Sequence, residues 1–346
     1  MATRTTTSRA LDLGFGYTKF SRANYANDGI LDVHAFPSYA APFVSNNVGS
    51  DYLGSLNVLT VTVGQERFMV GDDVRDAADG AARQMLEASF FRSSQYIALA
   101  RGAMAMMNIP NHGQIDSLVL GLPLTVYGDK ALVAHVYDNL LTEHQIPDRR
   151  ALQAKDRVVT IKKLRIIPQV VGSLIAMSKE SGLNKKVRET YSLTIDAGYG
   201  TLLWLVTRGL TPLPARSNGN MGGVSSLLQK VVRSMDPDSV TNINILDRLD
   251  NALRNSEESI EIDGVELPLA KYSALLASST SENLTELIKS IGNTKDIDNI
   301  FLTGGGAHLY HDAVQKAFSN RKIVTAGSGA RYTNVRGFQT IAETEA

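Results

Sequence analysis

Apolar positions along the chain follow two periods, and the switches between them mark the elements. Ala10 to Leu13 forms a short apolar strand that runs into Gly14-Phe15-Gly16, and Tyr17 to Phe20 resumes an extended pattern, so the glycines make the bend of a hairpin. An apolar helical stretch covers Gln95 to Met107. Strands follow at Ile115 to Leu120, ending in Gly121-Leu122-Pro123, and at Val158 to Ile167. Pro168 presets a first helical turn and Gly182 ends that helix, with Val171, Leu174 and Ile175 on its apolar face, so Gln169 sits at a helix N-terminus. Tyr191 to Ile195 is a β-rich strand leading into Asp196, Gly198 and Gly200, with a second strand from Leu202 to Thr207. Behind Gly222-Gly223, Val224, Leu227, Leu228, Val231 and Val232 repeat at i, i+3, i+4, i+7, i+8, the signature of a helix. A more polar region comes next, with a hairpin turn at Asp263-Gly264 and a long helix over roughly 270–291. Asn299 to Thr303 reads as a buried strand, broken by Gly304-Gly305-Gly306 before a helix from Ala307 to Phe318.

Two of these segments repeat one another. Asp12-Leu13-Gly14-Phe15-Gly16 and Asp196-Ala197-Gly198-Tyr199-Gly200 are both Asp-x-Gly-x-Gly hairpins, each opening about half of the chain. With strands and helices alternating between them, the pattern predicts an α/β protein of two duplicated lobes. The expected division is a disordered leader over 1–9, a first lobe over 10–168 and a second over 169–346. Small inserted subdomains fall at about 36–110 and 224–295, and the C-terminal helix is free to pack back on the first lobe.

Composition narrows the function classes. The chain has 346 residues, 43% of them hydrophobic, enough for a sizeable core in more than one domain. Thirty-five basic residues balance thirty-five acidic ones, which removes the broad attraction that direct nucleic-acid binding or an anionic membrane requires. The absence of cysteine excludes disulfides, thiolate metal sites and a cysteine nucleophile, and points to a reducing, cytoplasmic setting.

An Asp at a strand end followed by alternating glycines sets a carboxylate beside bare backbone N–H groups able to cradle phosphate oxygens. Carboxylate and phosphate repel, so a Mg²⁺ ion between them is implied, held largely through water. Asp12 and Asp196 are the metal candidates, and Gly14, Gly16, Tyr17, Thr18, Lys19, Gly198, Tyr199, Gly200 and Thr201 line the two turns. Thr18 and Thr201 offer hydroxyls, and Lys19 offers a point charge for a β- or γ-phosphate. Gln169, at its helix N-terminus, is the candidate for orienting an attacking water; a neutral amide cannot be a general base. Gly222, Gly223, Gly304, Gly305 and Gly306 mark places where backbone can approach a flat ligand part such as adenine and ribose.

Taken together, Asp12 to Lys19, Asp196 to Thr201 and Thr303 to Ala307 resemble the phosphate 1, phosphate 2 and adenosine motifs of the actin, sugar-kinase and heat-shock-chaperone superfamily. Ile166-Ile167-Pro168-Gln169-Val170-Val171-Gly172 looks like its first connecting segment, where Gln169 matches the water-positioning Gln or Glu. Val70-Gly71-Asp72-Asp73, Gly121-Leu122-Pro123 and the ending Tyr332 to Phe338 resemble the ParM/StbA type of plasmid-segregating actin-like ATPases. That resemblance implies an actin-like fold of two ribonuclease-H-like lobes around a nucleotide cleft, with ATP (or GTP) and Mg²⁺ as ligands. It further implies self-assembly into filaments and an adaptor protein bound to centromere-like plasmid DNA. Two other readings stay open: a sugar or acid kinase, for which Asp116 is a formal candidate base, and a non-catalytic nucleotide-gated scaffold. A chaperone reading needs a peptide-binding domain after the lobes and is not expected here.

Overall fold

The computed structural model describes residues 6–44, 55–78, 87–149, 155–327 and 329–346. The chain divides into two compact units, one from Met1–Gly172 with Asn334–Ala346 and one from Ser173–Thr333.

The first unit is built on strands β1 (Ser8–Leu13), β2 (Tyr17–Ser21), β3 (Val33–Pro37), β4 (Ser117–Leu122) and β5 (Leu164–Pro168), in the sheet order β5-β4-β1-β2-β3. β1, β2 and β3 form an antiparallel meander, whereas β4 and β5 run parallel to β1 on its other side. Side chains alternate across such a sheet. Leu11, Leu13, Leu118, Leu120 and Leu122 face a core shared with helix α1 (Ser94–Met106). Ala10, Val119 and Ile167 face the opposite side, where they meet Val335, Phe338 and Ala342.

The second unit repeats the plan with β6 (Tyr191–Ala197), β7 (Leu202–Arg208), β8 (Thr211–Pro212), β9 (Asn299–Thr303) and β10 (Ile323–Thr325), ordered β8-β7-β6-β9-β10. Its first three strands are again antiparallel and its last two parallel to β6. The duplication read from the hairpins therefore extends to five strands of each sheet, and the second sheet adds a sixth, Asn218–Asn220, paired with β7. Leu193, Ile195, Leu202 and Trp204 pack against Leu284, Leu287, Tyr310 and Val314, and the Trp204 indole N–H donates to Ser290 Oγ at 3.2 Å.

Helix α2 (Gln169–Glu180) follows β5 directly, and the other helices used below are α3 (Val224–Met235), α4 (Ile243–Asn255), α5 (Ser273–Ile291), α6 (Ala307–Ala317) and α7 (Thr333–Thr344). The turn expected at Asp263-Gly264 has φ of 50° and 77°, the two left-handed residues of a type I′ hairpin.

Three sequence expectations are corrected. Residues 1–5 of the expected leader lie outside the described residues, but Ser8 and Arg9 are buried in β1. The Arg9 guanidinium donates to Ser8 O at 2.6 Å, Asn24 Oδ1 at 2.7 Å and Asn108 O; burial lowers its pKa to about 10 and leaves it charged. Partners so far along the chain are invisible to a local reading of polarity. The single strand expected from Val158 to Ile167 is two: Asp156–Ile161 joins a separate three-stranded sheet with Gln114–Ile115 and His144–Pro147, and only β5 enters the main sheet. Pro168 closes β5 opposite Leu122 rather than opening the helix, which Gln169 begins.

Candidate functional site

Register brings the first cluster together. Asp12 lies opposite Lys19 on β2 and beside Gly121 on β4, and Gly121 in turn lies beside Ile167 on β5. Gln169, two residues beyond Ile167, leaves the sheet on the face that carries Asp12. Gly121 has no side chain to separate them, so the amide crosses the intervening strand. Its Nε2 donates to Asp12 Oδ1 at 2.6 Å, while Lys19 Nζ donates to Asp12 Oδ2 at 2.6 Å. Asp12 is completely buried and Gln169 nearly so. An isolated carboxylate there would be costly, and the ammonium and amide supply the compensation that burial demands.

The turn beyond Asp12 is anchored by the ring of Phe15. A Cβ at Gly14 would lie 3.7 Å from Lys19 Nζ, so the ammonium overhangs the glycines. Phe15 packs against Phe90 and Phe91 with ring centroids 5.8 and 5.6 Å apart, and both of those rings meet Tyr96. The Tyr96 hydroxyl is buried with no hydrogen-bond partner among the described residues; burial, with the nearby Asp12 charge, drives its pKa upward and keeps it a neutral phenol. Tyr17 lies under the Arg75 guanidinium at 5.9 Å. Thr18 is corrected as a hydroxyl donor: it alternates to the face away from Asp12, and its Oγ1 pairs with Ser38 Oγ at 3.0 Å.

In the second unit Asp196 occupies the equivalent strand position, beside Leu203 on β7 and Thr303 on β9. The Tyr199-Gly200 turn is closed by the Gly198 N–H donating to Thr201 O at 2.9 Å. Helix α3 fixes that turn from behind, because the Val224 and Ser225 N–H groups donate to Gly198 O at 3.0 Å and Tyr199 O at 2.8 Å. Two of the helix's orphan donors are thus consumed by the hairpin. Gly223 is required for the contact, since a Cβ there would stand 2.5 Å from the Gly200 carbonyl carbon. Gly222 is clamped from α5 and α6, its carbonyl accepting from Tyr310 Oη and from Asn283 Nδ2 at 3.3 Å.

Gly304-Gly305-Gly306 continues from β9 alongside Asp196. Gly304 has φ of +90°, and the Gly306 N–H donates to Ala197 O at 2.8 Å, so the glycine run is bonded to the hairpin itself. Gly305 O accepts from Arg254 Nη1 at 2.6 Å, and Arg254 is held by both carboxylate oxygens of Asp250 at 2.9 and 3.1 Å. Sequence reasoning missed this pair; its only signal was an Asp and an Arg at i, i+4 in the polar region after α3. Asp116, the formal kinase base, has its Oδ2 on the Thr7 N–H at 2.9 Å and its Oδ1 on Gln114 Nε2 at 2.6 Å, a turn-forming role. No helix among the described residues is long and apolar enough to cross a membrane.

The arrangement suits a phosphorylated ligand with a hydrated Mg²⁺. The Asp12 carboxylate is a hard oxygen donor that already attracts one cation, Lys19 Nζ, and the turns are tight, since a Cβ at Gly14 or Gly198 would stand 3.3 or 3.1 Å from the carbonyl oxygen of Tyr17 or Thr201.

Residues 10–172 match the family model described as "Actin like proteins N terminal domain". No curated protein matches the chain. Among solved structures, the apo ParM protein of psk41 is 17% identical with a TM-score of 0.66, covering 98% of both chains. The archaeal actin homologue Ta0583 in complex with ADP is 18% identical with a TM-score of 0.72, covering 99% of this chain and 100% of that one. The Alp12 filament structure is 15% identical with a TM-score of 0.64, covering 98% and 99%. Identities this low speak for the fold. The chain as a whole therefore has the actin-like fold, and its residues 10–172 are similar to the N-terminal domain of actin-like proteins.

Proposed function

We propose that this chain binds Mg²⁺–ATP with both hairpins, hydrolyses it, and assembles with copies of itself into filaments that move plasmid DNA through an adaptor protein in the cytoplasm. The observation that carries the reading is the buried Asp12 carboxylate held between Lys19 and Gln169 at the mouth of a glycine turn. The ADP complex of Ta0583 and the filament form of Alp12, both with this fold, support nucleotide binding and self-assembly respectively. The zero net charge fits contact with DNA through an adaptor rather than directly.

Each residue has a defined task in this reading. The turn N–H groups bind phosphate oxygens, and Lys19 moves its charge from Asp12 to the phosphates. Mg²⁺, when bound next to Asp12 and Asp196, supplies the positive charge that lets carboxylates and phosphates share one site. The Gln169 amide, released from Asp12, orients water for in-line attack on the γ-phosphate. Gly304 to Gly306 and Gly222-Gly223 receive the nucleoside, with Arg254 and Asp250 holding the first of these loops.

The test is to titrate the protein with Mg²⁺–ATP while following light scattering and phosphate release. Scattering should rise only above a threshold protein concentration, with phosphate released afterwards. No assembly with ATP, GTP or a non-hydrolysable analogue would remove the filament reading. Assembly without phosphate release would leave a nucleotide-gated scaffold in its place.

A further inference from the structure

Three stretches singled out in the sequence, Gly121-Leu122-Pro123, the Gly172 that ends the connecting segment, and Gly337-Phe338 near the C-terminus, have no task in the proposed chemistry. In the structure they meet around the Phe338 ring, and at Gly121 that ring lies beside the stem of Gln169. A Cβ at Gly121 would lie 2.6 Å from Phe338 Cε2 and 2.9 Å from Gln169 Cγ. A Cβ at Gly172 would lie 2.6 Å from Phe338 Cδ1 and 2.7 Å from Asn334 O. A Cβ at Gly337 would lie 2.5 Å from the Gly172 carbonyl carbon, so α2 and α7 touch backbone to backbone. The Phe338 ring is fully buried in the slot that Gly121 and Gly172 leave open.

The geometry has a direct consequence for the glutamine. Gln169 reaches Asp12 only by crossing β4 at Gly121, and the space over that glycine is shared by two groups, the Gln169 methylenes and the Phe338 ring. Interiors are close-packed, so the ring limits the rotamers open to the stem. We propose that Phe338 is a positioning residue for Gln169: wedged between Gly121 and Gly172, it holds the side-chain amide at the height of the Asp12 carboxylate, where the attacking water has to be met. This rests on Gln169 orienting that water, as proposed above. Displacement of a positioning group by about 1 Å can cost on the order of 100-fold in rate, so a loosened stem has a measurable effect.

The experiment is a double-mutant comparison in the full chain, with single-turnover hydrolysis at saturating Mg²⁺–ATP and nucleotide affinity measured separately. F338L is expected to slow hydrolysis about 10-fold or more while leaving affinity within about 3-fold. In a Q169A background the same substitution should cause no further loss, because the stem it positions is gone. V335A, in the same buried cluster, serves as the control for lost stability alone, lowering the melting temperature without this pattern. F338M, which keeps more of the volume, replaces F338L if the latter does not fold. An equal loss from F338L in both backgrounds, or full hydrolysis in F338L, overturns the proposal.

A second readout separates this claim from the reading beneath it. The side-chain amide resonance of Gln169, assigned by its disappearance in Q169A, should shift or broaden in F338L and F338M and stay in place in V335A. If Q169A hydrolyses ATP at the full rate, the catalytic reading of Gln169 falls while the resonance still reports whether Phe338 positions it. An unmoved resonance in F338L overturns the positioning claim whatever the rates.

Discussion

Asp12 has no solvent to stabilise its charge, and its two oxygens are each given one donor: Lys19 on one, Gln169 on the other. This pairing makes two residue-scale predictions. Lys19→Met leaves a buried carboxylate with one partner fewer, and should lower stability by roughly 3 kcal/mol in the absence of nucleotide, read by urea denaturation. An unchanged midpoint would mean that the pair contributes nothing. Gln169→Ala should retain nucleotide binding and slow hydrolysis by roughly 10- to 1000-fold, and full hydrolysis removes it from the mechanism. Asp12, Lys19 and Gln169 were legible in the sequence because each sits at a boundary that local pattern reveals, a strand end, a hairpin or a helix start. Phe338, Arg254 and Tyr310 were not. Their roles depend on contacts with residues at least 50 positions away, such as Arg254 with Gly305, and periodicity marks them only as ordinary helix positions.

At the scale of elements, the hairpins, α3 and β9 were readable in type and nearly in extent, since each buries one face and carries its period openly. The strand read as one piece from Val158 to Ile167 shows the limit: apolar character is continuous there, and only pairing decides that its two halves belong to different sheets. The Val70 to Asp73 motif also gains a structural explanation, because Asp73 Oδ2 accepts from the Asn57 N–H at 2.7 Å and Gly71, at φ of +141°, abuts the Asn57 backbone. The separate sheet carries its own prediction. His144 opens the strand His144–Pro147, is fully buried, and donates from Nε2 to Leu140 O at 2.8 Å, while Nδ1 has no partner among the described residues. Burial, more than any nearby charge, lowers its pKa below the usual histidine value of 6.5, so the folded state prefers it neutral. The unfolded chain then binds the extra proton first, and stability is complete above about pH 6.5 and declines as pH falls below it. Thermal unfolding from pH 8 to pH 5 should show that decline, and His144→Leu should reduce it. A pH dependence identical in the variant would assign the effect to other groups.

For the molecule as a whole, repetition is the organising fact. Two sheets share one strand order and place an aspartate at the same point of the first strand, Asp12 in one and Asp196 in the other. If both serve one nucleotide, Asp12→Ala and Asp196→Ala should each abolish Mg²⁺-dependent ATP binding, measured by calorimetry with and without chelator. Intact binding in either variant would release that aspartate from the site. The copies also differ: opposite Asp12 stands Lys19, and opposite Asp196 stands Leu203, so only the first hairpin brings a cation of its own in register.

The first unit is not continuous in sequence. It begins at the N-terminus and is completed by residues 334–346, whose Val335, Phe338 and Ala342 cover the apolar side of β1, β4 and β5. During synthesis that side of the sheet is made early and only partly covered, by Leu31 and Val171, until residues 334–346 follow the entire second unit. The nascent chain must therefore carry a half-capped greasy surface through much of translation, and any factor that shelters it has until α7 emerges to let go.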